Sequence, residues 1–504
     1  MIKIQLSKED YVFDIQSLCK AFYPSRQIVI GTEPWEDGEG FDLEKDIGQT
    51  ELFIRIFLGD SKVVVETMSK EKGFREQDCA NAEDRKVYKN VLKRCIYRAL
   101  HQASGKELPW GTLTGVRPSK LPMEHLELGE SREYIERYMK EQYYCSKDKI
   151  SLGYEIAKKE LDILRAIDYK NGYSLYIGIP FCPTRCLYCS FPSFPLEQFK
   201  KYVQGYLHAL YKEIDFAAKN LWAKRLTSIY IGGGTPTALD TTQLRSLVRK
   251  IKNSFPMEHV VEFTVEAGRP DTITYEKLQA LKEEGITRIS INPQTMNQDT
   301  LNHIGRKHTV EEVVKGFELA RRAGHDNINM DLIMGLPGEK TEHVKKTLDW
   351  VEKLAPESLT VHSLVVKRAA RLNMQLDEEE HTMVGDTSEM LSLTEKFAKE
   401  HHYEPYYMYR QKNATGSSND SQENIGYAKP GMESIYNIII MEEKQSILAL
   451  GAGASTKIML PEGAKKLERV ENVKNVVEYI NRIDEMIDRK KEVIKKYPFV
   501  VGKE

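Results

Sequence analysis

Between residues 173 and 366 the chain repeats a simple rhythm. Six short apolar, β-branched runs recur: SLYIGI, LTSIYIGG, VVEFTVEA, ITRISINPQ, NINMDLIMG and SLTVHSLVV. Between them lie stretches with apolar residues at helical spacing, at 198–218, 244–253, 275–284, 310–323 and 342–354. Strands alternating with helices predict an α/β fold with a parallel sheet, and right-handed crossovers curl such a sheet into a full or partial barrel. The expected architecture is a partial (β/α)6 barrel. Chemistry in such folds gathers at the C-terminal ends of the strands.

The flanking regions read differently. In ELFIRIFLGDSKVVVETM two strand-like runs meet at Gly59-Asp60, an antiparallel hairpin. Helical patterns follow at 82–102 and 131–166, separated by the loop PWGTLTGVRPSK with an exposed-looking Trp110. From about residue 377 come a helical stretch, the Tyr-rich piece YEPYYMYRQK, a polar loop NATGSSNDSQEN, and SILALGAGASTKI, which reads as a strand entering a Gly-rich turn. Val473, Val477, Ile480, Ile483 and Ile487 then sit at helical spacing within 470–494, predicting one amphipathic helix. These shifts divide the chain into an N-terminal α+β domain (1–165), the βα barrel (166–375) and a mixed C-terminal domain (376–504).

The 504 residues carry a formal net charge of -2, so no basic field points to nucleic acid. The N-terminus interrupts its apolar residues with charges, and no run is long enough to span a bilayer, so a cytoplasmic location is expected. Of seven cysteines, Cys19, Cys79, Cys95 and Cys145 are scattered and read as ordinary thiols. Cys182, Cys186 and Cys189 instead crowd into eight positions just after the first barrel strand, among Pro180, Pro183 and Pro192.

Zinc normally takes four protein ligands, or three with a catalytic water, and no fourth Cys or His stands near. An iron–sulfur cubane takes one thiolate per iron, so three thiolates leave one iron free to bind something else. The CxxxCxxC loop after a first barrel strand resembles the radical S-adenosylmethionine superfamily. That resemblance implies a [4Fe-4S] cluster on Cys182, Cys186 and Cys189, and S-adenosylmethionine chelated by the open iron. IGGGTPT resembles the Gly-rich site for the methionine amino group, assigning Gly233, Gly234 and Thr235 to it. Following the family pattern along successive strand ends, Glu266 would meet the ammonium and Gln294 the ribose. Arg306 would take the carboxylate, Asp331 the ribose diol, with Ile333 beside it. Tyr188 resembles an adenine-stacking position, and Tyr176 a catalytic tyrosine near cluster and sulfonium.

GGGTPT and the block ENIGYAKPGMESIYNIIIMEEKQSILALGAGAS resemble the oxygen-independent coproporphyrinogen III oxidase-like branch, above all its HemZ-type members. The resemblance implies a tetrapyrrole substrate, a flavodoxin- or ferredoxin-type electron donor, and oxidative decarboxylation of coproporphyrinogen III. It leaves two neighbours open: haem carriers, and radical enzymes that modify haem. The chain differs from the decarboxylating oxidases at Gly178 (His there), Phe191 (Cys there) and Tyr436 (often His). His401-His402 with Tyr403, Tyr406, Tyr407 and Tyr409 are candidates for tetrapyrrole contact, and Arg368, Arg371 and Arg410 for its propionates.

Overall fold

The computed structural model describes residues 1–24, 26–35, 37–38, 50–220, 225–364, 387–411, 423–460 and 467–497. They sort into two units, one of residues 1–158 with 409–422 and one of residues 159–408 with 423–504.

In the first unit β1 (Ile2–Leu6), β2 (Ile28–Thr32), β3 (Leu52–Leu58), β4 (Lys62–Met68) and β5 (Gly73–Cys79) form a sheet ordered β2-β1-β3-β4-β5. The expected hairpin is β3–β4, antiparallel with Leu58 opposite Val63. Alternation along IKIQL puts Ile2, Ile4 and Leu6 on one face. There they pack with Ile54 and Ile56 against Leu18, Phe22, Leu92 and Ile96 of the helices Val12–Phe22 and Arg85–Ser104. Asp84 starts the second helix by accepting from the Lys86 and Val87 amides.

The helical pattern expected over 131–166 is present as two helices, Arg132–Tyr143 and Lys147–Ala166, parted at Tyr144, whose left-handed φ of 58° no helix interior tolerates. One expectation fails here. Trp110 is buried, at 1% exposure. Its loop folds inward through the Thr112 amide, which donates to the Tyr143 carbonyl at 2.8 Å. Gly111 makes that possible: its φ is 53°, and a Cβ would lie 1.9 Å from the same carbonyl. Arg410 is engaged in holding this loop, donating to the Val116 and Leu113 carbonyls.

In the second unit β6 (Gly172–Ile179), β9 (Arg225–Gly233), β10 (Glu262–Glu266), β11 (Arg288–Ser290), β12 (Ile328–Met334) and β13 (Ser358–Ser363) lie side by side, all parallel. They are the six predicted strands in the predicted order. Between β6 and β9, the short β7 (Phe181–Cys182) and β8 (Phe194–Pro195) pair with each other. The sheet continues beyond β13 into antiparallel β15 (Glu423–Ala428) and then β14 (Glu404–Arg410). Beyond β6 it continues into parallel β16 (Ser446–Leu450) and antiparallel β17 (Ser455–Met459) and β18 (Leu467–Glu471). Among the described residues this is one open eleven-stranded sheet.

One property of the six parallel strands bears directly on function. Strands buried on both faces usually read as continuous apolar runs. Here only one face does: Leu175, Ile177, Ile229, Ile231, Phe263, Val265, Ile289, Met330, Leu332 and Val361 are all buried. The other face is polar at every level. Register aligns Ser174 with Ser228 and Glu262, and above them Tyr176 with Tyr230, Thr264 and Arg288. Burying these groups unpaired would cost roughly 1–3 kcal/mol each, and many are paired with one another. The Ser174 and Ser228 hydroxyls are 2.7 Å apart, Asn329 donates to Ser290 at 2.8 Å and to Asp331 at 2.7 Å, and Arg288 donates to Ser358 at 3.0 Å.

The C-terminal tail departs from the single predicted helix. Val470 lies in β18, a short helix Val476–Asn481 follows, and a second runs Ile483–Lys496. Tyr479, Ile483, Met486, Ile487 and Lys490 are its buried side. His401 and His402 form the turn after the helix Thr387–Glu400, with the His401 ring stacked on Phe397 at 4.1 Å and His402 at a φ of 60°. Tyr403 donates to the Pro356 carbonyl at 2.6 Å, and Tyr406 and Tyr407 are buried. Arg368 and Arg371 lie outside the described residues. No helix among the described residues is long and apolar enough to cross a membrane.

Candidate active site

The cysteine loop leaves the C-terminal end of β6 and is pinched shut at its neck. β7 and β8 pair across it, and the Phe194 amide donates to the Pro180 carbonyl at 2.8 Å. Inside, the Cys189 amide turns back onto the Cys186 carbonyl at 3.2 Å, and the Leu187 amide ties the loop to the Ile304 carbonyl at 3.1 Å. Cys182 and Cys186 are buried and Cys189 half-buried. Burial pushes the Cys182 thiol up to about 12 and raises Cys189 as well. Thiols so placed keep their protons until a cation supplies compensating charge. Three thiols on one short loop, buried or half-buried, match the chemistry of a cubane, which takes one thiolate per iron.

The glycine turn after β9 closes over the start of that loop. The Gly234 amide donates to the Ile179 carbonyl at 2.8 Å and the Thr235 amide to that of Phe181 at 2.7 Å. The Thr235 hydroxyl lies 3.4 Å from the Cys182 sulfur. Gly233 has a φ of 111°, and a Cβ on Gly234 would come within 2.7 Å of the Phe181 carbonyl and 3.0 Å of the Cys182 sulfur. Only glycine allows this approach.

Below the turn, Glu266 accepts from the Tyr230 hydroxyl at 2.5 Å. Tyr230 stacks on Tyr436 at 4.6 Å, and Tyr176 lies 6.3 Å from Tyr230 and 6.1 Å from Tyr436. Glu262 holds Tyr436 in the stack: it accepts from the Ile435 and Tyr436 amides at 2.7 and 3.2 Å, at the start of the helix Ile435–Glu442. Burial pushes the Glu266 carboxyl up to about 7, against the pull of the Tyr230 bond.

That displacement has a definite sign. Between about pH 4.5 and pH 7 the unfolded chain has released this proton while the folded one retains it, so raising the pH through that window removes stability. Ligand-free Glu266→Gln protein is therefore expected to gain stability relative to the unsubstituted chain between pH 5 and pH 8. Melting both proteins across that range checks it; a constant difference contradicts it.

The remaining predicted residues fall at the same end of the sheet. Gln294, at a left-handed φ of 69°, is pinned by bonds from its amide to the Asp331 carbonyl at 3.0 Å and to its carbonyl from the Ile333 amide at 2.9 Å. A strained non-glycine residue of this kind often marks a functional site. Ile333 and Tyr188 share one apolar cluster with Leu301, Ile304 and Leu336. Arg306 is buried; it donates to the Asn292 carbonyl and, at 3.4 Å, to that of Gly268, while its Nε has no partner. Tyr230 was missed by sequence reasoning, as was Arg269, which reaches Cys186. The signal for Tyr230 was its period-two spacing with Ser228 and Gly232 in a strand that looked uniformly apolar.

A family model described as the radical SAM superfamily matches residues 176–351. The chain is 38% identical, over 97% of both chains, to the oxygen-independent coproporphyrinogen-III oxidase-like protein HemZ of Bacillus subtilis. It is 33% identical to the haem chaperone HemW of the same organism, over 61% of this chain and 76% of HemW. Among solved structures it resembles the radical SAM enzyme coproporphyrinogen III oxidase (HemN) of Escherichia coli. The TM-score is 0.51 at 23% identity, over 68% of this chain and 79% of HemN, which is a likeness of fold. The chain thus belongs to the radical S-adenosylmethionine superfamily, whose cofactors are a [4Fe-4S] cluster and S-adenosylmethionine, and within it to the HemZ-like family.

Proposed function

We propose that this chain is a radical S-adenosylmethionine oxidoreductase acting on a tetrapyrrole. The reaction is oxygen-independent decarboxylation of two propionates of coproporphyrinogen III to vinyl groups, giving protoporphyrinogen IX. The observation that carries this reading is the near full-length identity to a coproporphyrinogen-III oxidase-like relative.

Cys182, Cys186 and Cys189 would hold the cluster, leaving one iron for S-adenosylmethionine. When bound, the two cofactors supply an electron and a carbon radical able to remove a hydrogen atom from a propionate side chain. Gly233, Gly234 and Thr235 would receive the methionine end, and Glu266, made anionic by a neighbouring ammonium, would pair with it. Arg306, with its Nε unpartnered, would take the carboxylate. Gln294 and Asp331 would meet the ribose, and Tyr188 and Ile333 would cover the adenine. Tyr176 would stand between the cluster loop and the tyrosine stack. Each propionate, once it has lost a hydrogen atom, releases carbon dioxide and one electron. The reaction therefore needs an electron acceptor, besides a flavodoxin- or ferredoxin-type donor.

A second reading, haem binding and transfer, is favoured by Gly178 and by Phe191, which is exposed beside the cysteine loop, where decarboxylating members carry His and Cys. An anaerobic assay with reconstituted cluster and a reductant separates the two. Coproporphyrinogen is expected to stimulate 5'-deoxyadenosine formation and to yield vinyl products. Haem binding without turnover would replace this reading with the carrier, and turnover with haem alone would replace it with a haem-modifying enzyme.

A further inference from the structure

Just past β10, the side chain of Arg269 turns back toward the cysteine loop. It is 2% exposed, and its fork is clamped on one side by Asp271, with Nε and Nη2 donating to the two carboxylate oxygens at 3.0 and 2.8 Å. On the other side Nη1 donates to the carbonyl and hydroxyl of Thr184, both at 3.1 Å, and lies 3.8 Å from the Cys186 sulfur. The sulfur is thus offered an N–H from a rigidly held, permanently charged donor in a buried site.

We propose that Arg269 is a positioning and tuning residue that raises the reduction potential of the cluster through an N–H···S hydrogen bond to Cys186. The proposal rests on the reading of Cys182, Cys186 and Cys189 as cluster ligands. Reducing a thiolate-ligated cluster adds negative charge that its sulfurs share, and a donor aimed at one of them stabilises the reduced state. Burial strengthens the effect, because little water screens it. Asp271 offsets the charge of Arg269, so the directional bond carries the effect. His308, fully buried nearby, adds no cation: burial and the charges of Arg306 and Arg269 hold its imidazole down at about 3.

The test is a redox titration of the anaerobically reconstituted full-length chain, followed by electron paramagnetic resonance with iron and sulfide quantified. Arg269→Met is expected to load iron normally yet shift the potential downward. At a fixed solution potential the ratio of reduced to oxidised cluster should fall about three- to tenfold, equivalent to roughly 30–60 mV for one electron. Arg269→Lys, which keeps the charge without the fork, should fall between. A fully loaded Arg269→Met protein with an unchanged ratio overturns the proposal and leaves the cysteine assignment standing. Failure of the unsubstituted chain to load iron overturns both. Should Arg269→Met not load, pulsed resonance on the unsubstituted chain with nitrogen-15 guanidinium labels decides. Arg306 also lies beside Cys186, so a nitrogen coupling that is lost or weakened in Arg269→Lys supports the bond; no coupling, or one left undiminished, refutes it.

Discussion

Anaerobically reconstituted Cys186→Ala protein is expected to come out colourless, with iron at background and no cleavage of S-adenosylmethionine. The broad visible absorption of a thiolate-ligated cluster needs the thiolates, and three are the fewest that hold a cubane with one open iron. Cys186 lies mid-loop, between a neck closed by the β7–β8 pair and a turn closed by the Cys189 amide on the Cys186 carbonyl. Those bonds are made by the backbone, so alanine preserves the loop while removing the ligand. The fold should survive, and the melting temperature of the cluster-free protein should be close to that of the unsubstituted apo chain. Cys145→Ala is the control: that thiol is also buried, but donates to the Trp110 carbonyl at 3.4 Å and should leave the colour intact. Undiminished colour and iron in Cys186→Ala would remove the cluster from these three residues.

Lys490→Met should be the most destabilising single change in the C-terminal tail, by about 3–5 kcal/mol. Lys490 lies 2.7 Å from Glu213, with the two side chains 2% and 0% exposed. Glu213 also accepts from the Tyr479 hydroxyl at 2.5 Å, Asn472 at 2.8 Å and the Gly451 amide at 2.9 Å. Removing the ammonium leaves a carboxylate with neutral donors alone, in a place water does not reach. The Glu213→Gln/Lys490→Met pair, which buries no net charge, should recover much of the loss. Urea unfolding of the three proteins measures both effects; a cost below about 1 kcal/mol for Lys490→Met would contradict the argument. The damage should also reach the site. Gly451 packs on Gly178, and the Tyr206 hydroxyl donates to the Gly178 carbonyl at 2.5 Å, two residues along β6 from Tyr176.

The same pair shows where reading the chain alone falls short. Helical spacing in the tail predicts an amphipathic helix, and a helix is there, but periodicity counts Lys490 among the polar residues. Its burial depends on Glu213, 277 positions away, and no local pattern contains that partner. Trp110 fails for a related reason. A loop rich in Gly, Pro and Thr looks like surface, yet Gly111 lets it fold against the Tyr143 carbonyl and carry the indole inward.

The order of the six parallel strands, the β3–β4 hairpin, the cysteine loop and the glycine turn after β9 all follow from spacing within a few residues. Side-chain alternation, turn-forming glycines and ligand intervals are local properties of a chain. Pairings between distant buried polar groups are not. The Tyr230–Glu266 bond, the capping of the Tyr436 helix by Glu262 from 174 positions away, and the approach of Arg269 to Cys186 across 83 positions exist only once strand register is set. A polar group inside a protein is stable only where its partner stands at hydrogen-bond distance, and that distance is decided by the packed sheet.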